Sequence, residues 1–240
     1  MKSALLAIFL VLSGFAWAGS DFEAGTKAFD DGKFIEARQR YEAQVSRGEW
    51  TANLFYNLGN TNAQIGAPGL AMLNYERALV LNPTHRDARA SLEFLRKQSL
   101  ARTPEPSWKD QAFGWMNFNG WIIAAAGAGW LAVFIVVVPV ARGRRLGAGG
   151  AFWLVLVLCL AGVAGFGAWL ASGELDAGVI VVKQAEARQG PAERATLADT
   201  LPVGSRVRVL TVRGEWTFVE LPGGARAWVP SASVEKIRLS

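Results

Sequence analysis

Residues 119–171 read NGWIIAAAGAGWLAVFIVVVPV, then ARGRRLGAGG, then AFWLVLVLCLAGVAGFGAWLA. The first run, 119–140, is 22 residues without a charge, and the last, 151–171, is 21. A bilayer-spanning helix needs about 20 predominantly apolar residues, so both qualify as transmembrane helices. The ten residues between them, 141–150, carry Arg142, Arg144 and Arg145 and no acid. Short loops rich in Lys or Arg stay in the cytoplasm, which sends both flanks of the hairpin to the far side. Neither span holds an ionisable side chain other than the Cys159 thiol. Ion and proton pathways usually need buried charge at membrane depth, so the composition argues against transport. Small residues four apart (Ala124/Ala128, Ala125/Gly129, Ala161/Gly165) provide ridges for close helix packing, within one hairpin or between two chains.

Just before the hairpin, residues 100–118 read as a linker. Thr103-Pro104-Glu105-Pro106 resists helix, and Trp108, Phe113, Trp115 and Phe118 follow in quick succession. Aromatics this dense beside an apolar run suit the membrane–water interface. At the start of the chain, Lys2, the apolar run Ala4–Leu12 and Ala16-Trp17-Ala18 have the layout of a signal peptide over residues 1–18, cleaved after Ala18. It independently requires residue 19 onward to lie outside the cytoplasm.

Residues 19–99 are polar, helical in pattern and internally repeated. Gly25, Gly32, Ala37 and Tyr41 recur as Gly59, Gly66, Ala71 and Tyr75, each 34 residues later. Small Gly59 and Ala71 allow paired helices to approach, and Leu58 and Tyr75 fill the space left. Pro68 suits a first helical turn, and Asn82-Pro83 closes a helix. The pattern predicts helices near 20–31, 34–47, 51–65, 68–81 and 84–98. The period and these positions resemble the tetratricopeptide repeat.

After the second span the pattern turns to β-structure. Val179–Val182, Arg206–Leu210 and Trp216–Leu221 alternate or are β-branched, and Gly204, Arg213-Gly214 and Pro222-Gly223-Gly224 supply turns. Residues 186–200 read as a long irregular loop. Leu201-Pro202-Val203-Gly204, Gly214-Glu215-Trp216, the double-Gly turn and Trp228-Val229 resemble a bacterial SH3-like domain over 175–240, with Ala227 where that family often has Gly.

The fold class expected is therefore a multi-domain membrane protein: an all-α tetratricopeptide solenoid, a two-helix transmembrane hairpin and a C-terminal all-β SH3-like barrel. The inventory for chemistry is thin. One His (His85) and one Cys (Cys159) in 240 residues exclude an internal disulfide and leave too few soft ligands for zinc. No acid pair, phosphate loop or nucleophile motif stands out, so no catalytic residue, metal or cofactor is expected. Glu174 and Asp176 read as a solvated linker, and His85 as a turn residue. The excess of 25 Lys+Arg over 20 Asp+Glu is scattered apart from the loop arginines, and does not suggest nucleic acid.

Two surfaces are candidates for binding. Asn53, Tyr56, Asn60 and Gln64 share one helical face; the tetratricopeptide resemblance implies that such a face lines a peptide groove, where Asn can donate and accept at once. Trp216 and Trp228 could frame an aromatic groove for peptide or peptidoglycan. The module order resembles BatE-type proteins of the Bacteroides-aerotolerance (Bat) family. That resemblance implies a non-enzymatic scaffold of the bacterial inner membrane with both folded domains periplasmic. Its implied companions are von Willebrand A-domain membrane proteins, a BatD-like protein and, indirectly, a MoxR-type ATPase.

Overall fold

The computed structural model describes residues 21–104, 108–145, 147–172 and 176–238. The signal-peptide reading of residues 1–18 and the carboxylate of Glu174 lie outside them. The chain forms two compact units: one joins the residues before Pro106 to those after Asp176, and the other holds the residues between.

The first unit begins with five helices. Residues 21–30 form α1; α2 is Phe34–Ser46, α3 Ala52–Gln64, α4 Pro68–Leu81 and α5 Arg86–Ser99. Each boundary falls within two residues of its expected place because the stop signals are local. Thr51 caps α3, its hydroxyl accepting the Leu54 N–H at 3.1 Å, and Pro68 opens α4. The 34-residue offset reappears as geometry. A Cβ on Gly25 would sit 3.0 Å from Cδ1 of Tyr41, and a Cβ on Gly59 would sit 2.7 Å from Cδ1 of Tyr75. Each ring thus lies flush on a bare backbone one helix pair apart. The phenol oxygens repeat too: Tyr41 shares a hydrogen bond with Thr26 at 3.1 Å, and Tyr75 donates to Asn60 Oδ1 at 2.7 Å. Ala37 and Ala71, also 34 apart, are both fully buried.

The sheet of this unit has seven strands: β1 Ala177–Ile180, β2 Gln184–Arg188, β3 Leu197–Pro202, β4 Arg206–Arg213, β5 Trp216–Glu220, β6 Arg226–Pro230 and β7 Val234–Lys236. Their order is β3-β2-β6-β5-β4-β1-β7, and every pair is antiparallel. The hairpin of β2 and β3 corrects the reading of 186–200 as an irregular loop. In β2 the inward residues are only Ala185 and Ala187, alternating with Glu186 and Arg188. Two methyl groups give too weak an apolar signal to stand out, although both are buried against the Val-rich inner face.

The helices and the sheet, expected as separate domains over 19–99 and 175–240, share one core. Phe55, Met72, Leu73, Ala88 and Leu92 from the helices pack in a single cluster with Ala177, Val179 and Ile237 from the sheet. Gly69 makes this possible, since a Cβ there would fall 2.6 Å from the Val181 Cα. Polar contacts lock the edges. Arg77 donates to the carbonyls of Lys236 (3.1 Å) and Ile237 (3.4 Å) beside edge strand β7. Arg102 forms a two-pronged pair with Asp199 on edge strand β3, 2.9 Å at each prong, and also reaches the Thr200 carbonyl. Full burial of one Val or Ile is worth about 1.5–3 kcal/mol, whereas a part-exposed ion pair contributes about 0–1 kcal/mol. Apolar packing therefore holds the junction, and the arginines fix its register.

The second unit contains the short helix α6 (Trp108–Phe113) and two long ones, α7 (Phe118–Ala141) and α8 (Ala148–Ser172). The last two are long and apolar enough to cross a membrane, with mean hydropathy 2.4 and 2.3. They pack through small residues: Ala125, Ala128 and Ala132 on α7, and Ala161, Ala164 and Ala168 on α8, are all wholly or partly buried. Gly129 and Gly165 point outward with open space around them. Trp121 packs over Gly167, and its indole N–H donates to the Phe113 carbonyl at 3.2 Å.

Two outcomes follow for the first unit. Gly69→Ala gains at most about 1 kcal/mol of helix propensity but drives a methyl into backbone that cannot step aside, so the variant is less stable by about 1–2 kcal/mol in urea unfolding of the detergent-solubilised chain. Burial pushes the Tyr75 phenol up to about 12. The folded state keeps that proton after the unfolded chain has lost it. The associated stability is complete below pH 10 and disappears as pH rises toward 12, roughly 3 kcal/mol for a two-unit shift. Tyr75→Phe loses correspondingly less stability over that interval.

Candidate binding face

The outer face of the β5–β6 ladder is built by strand alternation. Thr217 and Val219 point inward and are buried, so Trp216, Phe218 and Glu220 point outward; on β6, Ala227 and Val229 are buried, so Arg226, Trp228 and Pro230 point outward. The register sets these opposite one another as Trp216–Pro230, Phe218–Trp228 and Glu220–Arg226. The Phe218 and Trp228 rings lie 4.8 Å apart between centroids, and Arg226 pairs with Glu220 at 3.6 Å. Arg213, opposite Trp216 on β4, sets its guanidinium 5.8 Å from the Trp228 ring centre, within cation–π range. Arg188 on β2 is the register partner of Trp228 on the other side.

The two tryptophans singled out in the sequence thus belong to one half-exposed platform, with Phe218 between them. Phe218 and Pro230 were missed as members. The signal was available, because Phe218 stands two residues after Trp216 and so must share its face. The platform offers flat apolar surface bordered by Arg213, with Arg188 and Arg226 paired to Glu186 and Glu220. It can stack a sugar or proline ring and attract a carboxylate through Arg213.

The helical candidates are divided. Asn53 and Gln64 are exposed. Tyr56 is half-buried, its ring 5.0 Å from His85 and 6.0 Å from Tyr75. Asn60 turns inward, its Oδ1 taken by the Tyr75 hydroxyl. Only part of the expected polar face is therefore free for a ligand. His85 has a structural place: Nδ1 accepts the Ala88 N–H at 3.2 Å and caps α5. A shallow depression at Gly32, Phe34, Ile35, Gln39 and Ile65 lies at the helix–helix turns and contains none of the predicted residues. Among the described residues no group of three or more His, Cys, Asp or Glu is placed to hold a metal ion.

Charge around the sheet is set by the helix junction. The Arg102 guanidinium hydrogen-bonded to Asp199 holds that carboxyl below its ordinary range. Burial lowers the Arg77 guanidinium, partly offset by Glu235 at 3.7 Å.

The split among the helical residues has a measurable consequence. Asn60→Ala removes the acceptor of a buried phenol and destabilises the chain by about 1–2 kcal/mol, whereas Asn53→Ala and Gln64→Ala stay within about 0.5 kcal/mol of the parent in thermal or urea unfolding. No protein-family model matches this sequence, and no curated protein matches it at a significant level.

Proposed function

We propose that this chain is a non-enzymatic scaffold of the bacterial inner membrane, displaying a partner-binding body on the periplasmic face. The observation that carries this reading is the core shared by the helices and the sheet. The chain leaves that body after residue 104 and re-enters it at Ala177, with both apolar helices in between. Because the body is continuous, its two parts must lie on one side of any membrane the helices cross. An even number of spans satisfies this, and the positive loop Arg142–Arg145 then favours the cytoplasmic side for the turn.

The repeated Gly–Tyr contact at a 34-residue spacing supports a tetratricopeptide character for the helices. The small antiparallel sheet with its Trp-bearing outer face supports an SH3-like one. With the module order, these favour a Bat-type assembly. Its partners would be von Willebrand A-domain membrane proteins and a BatD-like protein, with a MoxR-type ATPase reached only indirectly. Because the helices and the sheet share a core, the scaffold presents one composite surface in place of two independently swivelling modules.

A second reading is favoured by the Trp216–Phe218–Trp228 platform: anchoring to peptidoglycan, whose sugar rings stack on aromatic faces and whose peptide carboxylates suit Arg213. Sedimentation of the detergent-solubilised full chain with purified sacculi separates the two. Retention that Trp228→Ala abolishes supports wall binding; no retention, with an envelope protein recovered by crosslinking, supports the scaffold.

Orientation is tested with single cysteines in a Cys159→Ala background. A membrane-impermeant maleimide should label Gln64→Cys from the periplasmic side and Arg144→Cys only after the inner membrane is opened. Labelling of both from one side would overturn the hairpin topology.

A further inference from the structure

Between Asp110 and Glu174 the only charged side chains are Arg142, Arg144 and Arg145. All three are exposed. A tight turn holds them together: Gly143 takes a left-handed φ of 69°, its N–H donates to the Val140 carbonyl, and the Arg144 N–H donates to the Pro139 carbonyl, each at 2.9 Å. Among the described residues, none of the three has a carboxylate partner. Three exposed guanidinium groups thus lie within four residues of one another at one end of an apolar hairpin, with no paired carboxylate among the described residues.

The surroundings restrict what can. Only residues 142–147 join the two helices, so in a bilayer the turn stays close to the headgroup layer, some 5–8 Å deep. Val140 at the end of α7 and Phe152 and Trp153 within the first two turns of α8 are exposed and apolar. Gly147 and Gly149 leave open space beside it. A guanidinium fork matches the two free oxygens of a phosphodiester. A zwitterionic headgroup brings its own cation, which the arginines repel, whereas a lipid with two phosphodiesters and no amine supplies matched oxygen pairs for two forks, two negative charges for the third arginine to approach, and acyl chains for the exposed apolar residues.

We propose that the Arg142–Arg144–Arg145 turn, together with exposed apolar residues at the adjoining helix ends, is a binding site for an anionic phospholipid bearing two phosphodiester groups. The proposal rests on the membrane reading above, and the two fail separately. The membrane reading fails if the chain does not float with phosphatidylcholine vesicles or is released from them by alkaline carbonate.

The lipid site is tested by native mass spectrometry of the full chain in detergent, titrated with diphosphatidylglycerol, phosphatidylglycerol or phosphatidylcholine. One diphosphatidylglycerol should be retained at least about tenfold more tightly than phosphatidylcholine, given the attraction of each basic residue near an anionic surface. R142Q/R144Q/R145Q should abolish that preference. R142K/R144K/R145K should keep part of it, since charge remains and the fork is lost. The single variant R144Q, with helicity checked by circular dichroism, guards against a misfolded triple variant and should weaken retention several-fold. Equal retention of the three lipids, an unchanged preference in the glutamine variants, or displacement by inorganic phosphate at concentrations equal to the lipid would overturn the proposal.

Discussion

The approach of the Val181 backbone to Gly69 is the contact on which the architecture depends. A helix normally holds its neighbours off by at least one side chain; at Gly69 a Cβ would meet Val181 Cα at 2.6 Å. That closeness lets Val179 and Ile237 enter the same cluster as Phe55, Met72 and Leu92. The sheet then buries one side of α4, which would otherwise be an unpartnered apolar surface in a short helical array. Its two edge strands, which would otherwise offer unpaired backbone groups, receive Arg77 from α4 and Arg102 from the segment after α5.

The same junction brings together the two segments of the helix–sheet body that flank the apolar helices in sequence. Arg206 is the register partner of Val179, and its N–H donates to the Arg102 carbonyl at 2.9 Å. The segments from which the chain departs and to which it returns therefore lie within about two strand spacings, ~10 Å, of each other. The apolar helices form an insertion into one folded body, and not a tether between two.

Legibility in the sequence followed the range of the interactions. The helices α1–α5 and the two apolar spans were readable because capping, proline placement and hydropathy act over a few residues. The Gly–Tyr repeat was readable because a contact made twice leaves the same letters at the same offset. The β2–β3 hairpin was not, because Ala185 and Ala187 carry little apolar signal and their burial comes from valines far along the chain. Trp216 and Trp228 were found by residue type, but their union in one platform with Phe218 depends on the register of β5 against β6. Asn60 looked like a free polar group; its commitment to Tyr75 follows from helix pairing, although the Thr26–Tyr41 contact one repeat earlier is its local echo.

By itself the sequence determined the helical spacing, the length and apolarity of the two spans, the charge of the turn between them, and the poverty of His and Cys. All are properties of adjacent residues or of simple counts. The tertiary structure decided that the helices and the sheet are one body, that small residues close the hairpin on itself, and which side chains remain free at the surface. These depend on which backbone comes within a few ångströms of Gly69, Gly59 and Gly167. Glycine records only that something comes close; what comes close is settled when the chain packs.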